Sequence, residues 1–283
     1  MRIALTSFVP DAVDVLEAHL EFHLGAGVDV VVVAENGSTD DTRAILERYV
    51  RRGLVHAVRA PADATELAHA AATKAGADWV IESDMSEFWW PRAGSLKELL
   101  GSISPRYGAV QALVRYFVPV KDTTEPFTER MIYRLAQNAP ITDPESRWRP
   151  MRRLVRRASA ASSTLSPVRG WYPIEVLRFP LEAGAADAYD EDALRRGVEE
   201  GVLHVDTRLR DALWVLADGR RPDFPRPDVI EEARFALEVA SLGETDVLQT
   251  RARLDELEAR LAAVESTFTE ALKRKLRTLR RRS

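Results

Sequence analysis

Along the first ninety residues, short apolar runs alternate with stretches whose apolar positions recur at helical spacing. Ile3–Phe8 reads as a buried strand. Behind Asp11, a candidate N-cap, Val13, Leu16, Leu20 and Leu24 share one helix face, and Gly25 and Gly27 end that helix. Val28–Ala34 is apolar on both faces, as a central parallel strand is. A helix capped by Ser38 or Thr39 comes next, carrying Ala44, Ile45, Leu46 and Tyr49 and stopping at Gly53. Leu54–Val58 predicts a third strand, Ala62–Ala75 a helix ending at Gly76, and Asp78–Ser83 a fourth strand.

Strand and helix at this spacing predict an open, mostly parallel α/β sheet with helices on both faces. In such sheets ligands bind at the loops that leave the carboxyl ends of the strands. Here those loops are Ser7–Asp11, Glu35–Asp40 and Asp84–Glu87.

Beyond Pro91 the pattern is weaker. Ser95–Ile103 predicts a helix and Ala109–Val118 a strand, whereas Lys121–Arg169 reads as irregular and Gly170–Pro180 as an aromatic stretch. Asp187–Glu200 and Thr207–Ala217 predict helices, and His204 lies at the end of a half-buried strand between them. His19, His23, His56 and His69 read as packing or surface residues. Pro222, Pro225 and Pro227 mark 220–228 as a Pro-rich join between a body at 1–219 and a helical extension at 229–283. In that extension Val229–Leu242 predicts a helix. From Asp246 to about Arg282, Leu254, Leu257, Leu261, Val264 and Phe268 keep heptad-like spacing on one helix of roughly 50 Å.

Composition narrows the function classes. The 283 residues contain no cysteine, which excludes a disulfide framework, a thiolate metal site and a cysteine nucleophile. No apolar run reaches the ~18 residues of a membrane span, and the N-terminus lacks the features of a signal peptide, so a cytoplasmic protein is expected. The net charge of −4 is segregated: seven basic residues and no acidic one lie in 273–283, leaving 33 basic against 44 acidic upstream, a net of −11. An acidic body argues against nucleic acid as a partner. The basic, heptad-patterned tail makes self-association through the C-terminal helix and contact with the inner membrane surface the candidate interactions.

The loops Glu35-Asn36-Gly37-Ser38-Thr39-Asp40 and Asp84-Met85-Ser86-Glu87-Phe88-Trp89-Trp90 each end an apolar strand. With Glu21–Asp29 and Trp79–Pro91 they resemble glycosyltransferase family 2, on the GT-A fold, over about residues 1–120. The likeness continues more loosely through Arg169–Glu175. The resemblance implies a nucleotide-sugar donor, a hydroxyl acceptor, and Mn²⁺ or Mg²⁺ held by an Asp-x-Asp pair on the donor diphosphate. Carried onto this chain, it makes Asp84 and Ser86 the metal positions, Glu35, Asn36, Ser38 and Asp84 the nucleotide side, and Glu87 the catalytic acidic residue. Ser86 stands where the second acid of the pair belongs, and Arg178 where a histidine is expected. A basic region, Arg147, Arg149, Arg152, Arg153, Arg156, Arg157 and Arg169, is a candidate for neutralising the diphosphate instead. The alternative function is a catalytically degenerate relative acting as a binding or assembly subunit.

Overall fold

The computed structural model describes residues 1–9, 13–35, 41–59, 70, 72–121, 125–136, 152–158, 167–168, 172–181, 188–233 and 235–236. The chain divides into two compact units, Met1–Glu231 and Glu232–Ser283. The sheet and its helices belong to the first unit. The long helix expected from Asp246 lies outside the described residues, as do Asn36, Ser38 and the proposed cap at Asp11.

The first half of the sheet-bearing unit runs β1 (Ile3–Val9), α1 (Val13–Gly25), β2 (Val30–Glu35), α2 (Thr42–Arg51), β3 (Val55–Arg59), β4 (Trp79–Ser83), β5 (Glu87–Pro91), α3 (Leu96–Gly101) and β6 (Ala109–Tyr116). The second half runs α4 (Phe127–Arg130), β7 (Tyr133–Leu135), β8 (Arg152–Arg157), β9 (Pro167–Val168), β10 (Ile174–Arg178), α5 (Glu191–Glu199), β11 (Leu203–Val205) and α6 (Arg208–Ala217). The main sheet has the order β3-β2-β1-β4-β8-β6-β10-β5, with β9 beside β6, and β7 and β11 form a separate antiparallel pair. This is a GT-A-like α/β architecture.

Strand alternation explains the layers. Ile3 and Leu5 of β1, Val31 and Val33 of β2, and Trp79 and Ile81 of β4 face α1 and α2, where Leu16, Leu20, Ile45, Leu46 and Tyr49 complete the larger core. The intervening Ala4, Val30, Val32 and Val80 face the opposite side, where Ala72 of a helical turn at 72–74 covers them. Gly27, at φ 109°, lets the chain reverse after α1 so that Val28 N–H reaches the His23 carbonyl at 3.0 Å.

Three expectations need correction. The cap position of α2 is held by Asp41, not Ser38 or Thr39, and its side chain makes no capping bond. The stretch 121–169 is not wholly irregular, because it supplies β8, which enters the sheet between β4 and β6 and runs antiparallel to both. A sequence of Arg-Arg-Leu-Val-Arg-Arg looks like a solvated charge run, yet Val155 is fully buried in the main core. Finally, His204 is exposed on β11 rather than half-buried.

The Pro-rich stretch after α6 is fastened to the body. Phe224 is 4% exposed and packs edge-on against Trp90, with ring centroids 4.9 Å apart, while its carbonyl accepts the Gly94 N–H at 2.8 Å. Among the described residues no helix is long and apolar enough to cross a membrane.

Candidate functional site

The strand order reverses beside β1: β2 and β3 extend to one side of it and β4 lies on the other. The carboxyl edge at such a switch point is the crevice where open α/β sheets bind ligands. Val9, Glu35 and Ser83 end their strands on this edge. Because β6 and β10 also run parallel to β4, Tyr116 and Arg178 end there too.

The turn 84–86 leaves β4 at this edge and leads directly into β5. The sheet path from β4 to β5 runs through β8, β6 and β10, so the short turn joins two strands that are not neighbours in the sheet. Glu87 N–H closes the turn on the Asp84 carbonyl at 3.0 Å. Asp84 is exposed, and its Oδ1 accepts both the Ser86 N–H at 3.0 Å and the Ser86 hydroxyl at 2.9 Å. Ser86 is thereby committed to shaping the turn.

Glu87 faces the other way. Its carboxylate is fully buried, accepts the Asp84 N–H at 3.3 Å, and lies 3.5 Å from Arg178 Nη1 on the neighbouring strand. The carboxylate of Glu87, expected to be the catalytic acidic residue, is buried and holds the turn through the Asp84 N–H. Arg178 is its register partner on β10, and Phe179 N–H binds the Ser86 carbonyl at 2.8 Å.

Two histidines of α1 hold the end of β4 and the middle of β5. Trp89 N–H donates to His23 Nε2 at 3.1 Å, which leaves the proton of that ring on Nδ1, donating to the His19 carbonyl at 2.7 Å. The Ser83 hydroxyl accepts the Trp89 indole N–H at 3.1 Å and lies 3.2 Å from the Glu87 carbonyl. With that hydroxyl proton directed to a carbonyl, His19 Nε2, at 3.3 Å, is the donor to Ser83. Both histidines are neutral. Burial pushes His19 down to about 3 and His23 well below the ordinary imidazole range, the latter aided by the neighbouring His19. The sequence reads them as packing or surface residues; their i, i+4 spacing is the signal that they act together.

A second polar cluster ties the strands carrying this edge to the rest of the unit. Glu175 of β10 is bound by Arg115 of β6 and, at 2.7 Å, by Arg208 of α6. Arg208 also binds Asp206 at 2.7 Å, and Arg134 of β7 reaches Asp206 at 2.9 Å. Burial pushes the Glu175 carboxyl up, but Arg115 and Arg208 outweigh it and hold the group well below the usual carboxylate range. Asp206 is lowered in the same way, burial being outweighed by Arg208.

Of the basic region, Arg156 and Arg157 have described side chains, while Arg152 and Arg153 are placed by their backbone at the start of β8, opposite Leu113 and Ala112. Arg157 lies opposite Trp79, at the start of β4, with its guanidinium 4.4 Å above the indole and bonded to the carbonyls of Ile103 and Tyr107. Arg156 pairs with Glu82 at 3.6 Å. Arg147, Arg149 and Arg169 are outside the described residues. Among the described residues no three His, Asp or Glu side chains converge in a way that would hold a metal ion.

No family model matches the chain, and no curated protein matches it. Among solved structures, S. aureus TarS aligns at 15% identity over 44% of this chain and 23% of that chain, with a TM-score of 0.30. S. aureus TarS 1-349 in complex with UDP-GlcNAc aligns at 15% identity over 44% of this chain and 37% of that one, at 0.29. A cytidylyltransferase from Leptospira borgpetersenii aligns at 16% identity over 39% and 52%, at 0.28. The alignments span about a quarter to a half of these proteins, and the chemistry is read from the site itself.

Proposed function

We propose that the protein binds a nucleotide-sugar across the carboxyl edge of its sheet and transfers the sugar to a hydroxyl acceptor. The observation that carries this reading is the position of Asp84: an exposed carboxylate on a pinned turn at the topological switch point. The resemblance of residues 1–120 to glycosyltransferase family 2 supports it. In the reaction the acceptor oxygen bonds to the anomeric carbon, the bond from that carbon to the diphosphate oxygen breaks, and the acceptor proton passes to a base.

Asp84 accepts hydrogen bonds from donor hydroxyls. Glu35, at the end of β2, and the following Asn36 and Ser38 form the nucleotide side. Glu87 is a positioning residue, holding the Asp84 turn through its main chain. The Mn²⁺ or Mg²⁺ implied by the resemblance fits these residues poorly. Ser86 commits its hydroxyl to Asp84 and Glu87 turns its carboxylate inward, so Asp84 is the one exposed carboxylate that the turn offers.

That same feature favours a second reading, in which the edge binds the nucleotide without turnover and the chain acts as a binding subunit. Calorimetric titration of UDP and GDP tests what the two readings share. Binding that weakens at least about tenfold in Asp84→Ala supports the site, and no binding of either nucleotide contradicts both readings. Release of free nucleoside diphosphate from a panel of nucleotide-sugars then distinguishes turnover from binding alone.

A further inference from the structure

We infer that Arg178 supplies the positive charge for the donor diphosphate, so that nucleotide binding at this edge needs no divalent cation. The inference rests on the nucleotide reading above. A bound diphosphate brings negative charge to an edge that already carries the exposed Asp84, and that charge must be met by a cation or the complex is lost.

Three observations place Arg178 for this role. It ends β10 on the carboxyl edge, in register with Tyr116 on one side and Glu87 on the other. The next residue fixes it beside the acidic turn, since Phe179 N–H binds the Ser86 carbonyl at 2.8 Å. Its side chain is 34% exposed while that of Glu87 is fully buried, so the guanidinium sits between the interior carboxylate and the open edge.

The chemistry suits the geometry. A guanidinium carries five N–H donors in a planar fork and binds phosphate bidentately. Arg178 directs Nη1 toward Glu87 at 3.5 Å, a contact that orients the fork without consuming it. Among arginines whose side chains are described, Arg115 and Arg208 bind Glu175 and Arg156 pairs with Glu82. The chain thus has an arginine beside the turn in which Ser86 replaces a second carboxylate. Charge is met by the protein's own cation where a carboxylate pair would recruit a metal.

The test is titration of the full chain with uridine and with UDP, in EDTA and in Mn²⁺, for wild type, Arg178→Gln and Arg178→Lys. The expected result is UDP binding of equal affinity in EDTA and Mn²⁺. Arg178→Gln should weaken UDP at least about tenfold, a typical loss for a charge-assisted phosphate contact, while leaving uridine binding unchanged. Arg178→Lys, which keeps the charge and lowers the folding risk, should fall between. UDP binding that requires Mn²⁺, or that Arg178→Gln leaves unchanged, overturns the inference while the nucleotide reading stands. Equal losses for uridine and UDP show a structural role for Arg178 and also overturn it. Absence of UDP and GDP binding under every condition overturns the inference together with the function on which it rests.

Discussion

His23 Nε2 accepts the main-chain N–H of Trp89 at 3.1 Å, so a side chain of α1 replaces a strand partner for β5. Both groups are fully buried, and water cannot take over if the histidine is removed. His23→Leu should therefore destabilise the protein by about 1–3 kcal/mol, the cost of an orphaned buried donor. Urea denaturation measures it: the midpoint should fall with the slope unchanged, and a shift below about 0.5 kcal/mol would mean that the bond holds nothing.

The same pair sets a pH dependence. Both imidazoles are lowered in the folded protein, His19 to about 3, against 6.5 when unfolded. Between those values the unfolded chain binds more protons. Stability is therefore complete above pH ~6.5 and declines as pH falls through that window, approaching roughly 1 kcal/mol per pH unit for each histidine. Denaturation at pH 7.5, 6.0 and 5.0 should show the decline, and His19→Gln should reduce its steepness. A flat profile from 7.5 to 5.0 would contradict the assignment.

Glu175 lies between two guanidiniums, and its loss removes a buried carboxylate from both. Glu175→Gln should cost about 3–5 kcal/mol, the range for breaking a buried ion pair from one side. Because the folded carboxyl is lowered, its contribution is present above the unfolded value of about 4.5 and is lost as pH falls below it. Thermal unfolding at pH 7 should place the variant far below wild type, and the gap should narrow under acid conditions. A gap independent of pH would assign the loss to packing instead.

Ser86→Asp rebuilds an acidic pair on the 84–86 turn. The variant should gain a dependence on Mn²⁺, with UDP binding tightened about tenfold or more by the ion, the scale on which metal-site residues act. Titration with and without the ion decides. A variant as indifferent to Mn²⁺ as wild type would show that the turn cannot seat a cation.

Much of this architecture is legible in the chain. Alternation in β1, β2 and β4 and the helical spacing of Leu16, Leu20, Ile45 and Tyr49 predict the layers, because one side of each element must be apolar to be buried. The Asp84–Glu87 turn is visible as a polar break after a strand. β8 is not, because Arg156 and Arg157 satisfy their charges on Glu82 and over Trp79, which periodicity does not register. The inward orientation of Glu87 is hidden for a similar reason. It depends on Arg178, ninety-one positions away, becoming its register partner across β10 and β5.

The central claim is that a nucleotide occupies the carboxyl edge beside Asp84. Photo-crosslinking with azido-UDP, followed by peptide mapping of the full chain, tests it most directly. The predicted result is label in peptides containing 7–9, 35–40 or 84–87 that is competed by unlabelled UDP and reduced in Asp84→Ala. Competed label confined to peptides away from that edge, or no competed label at all, would contradict it.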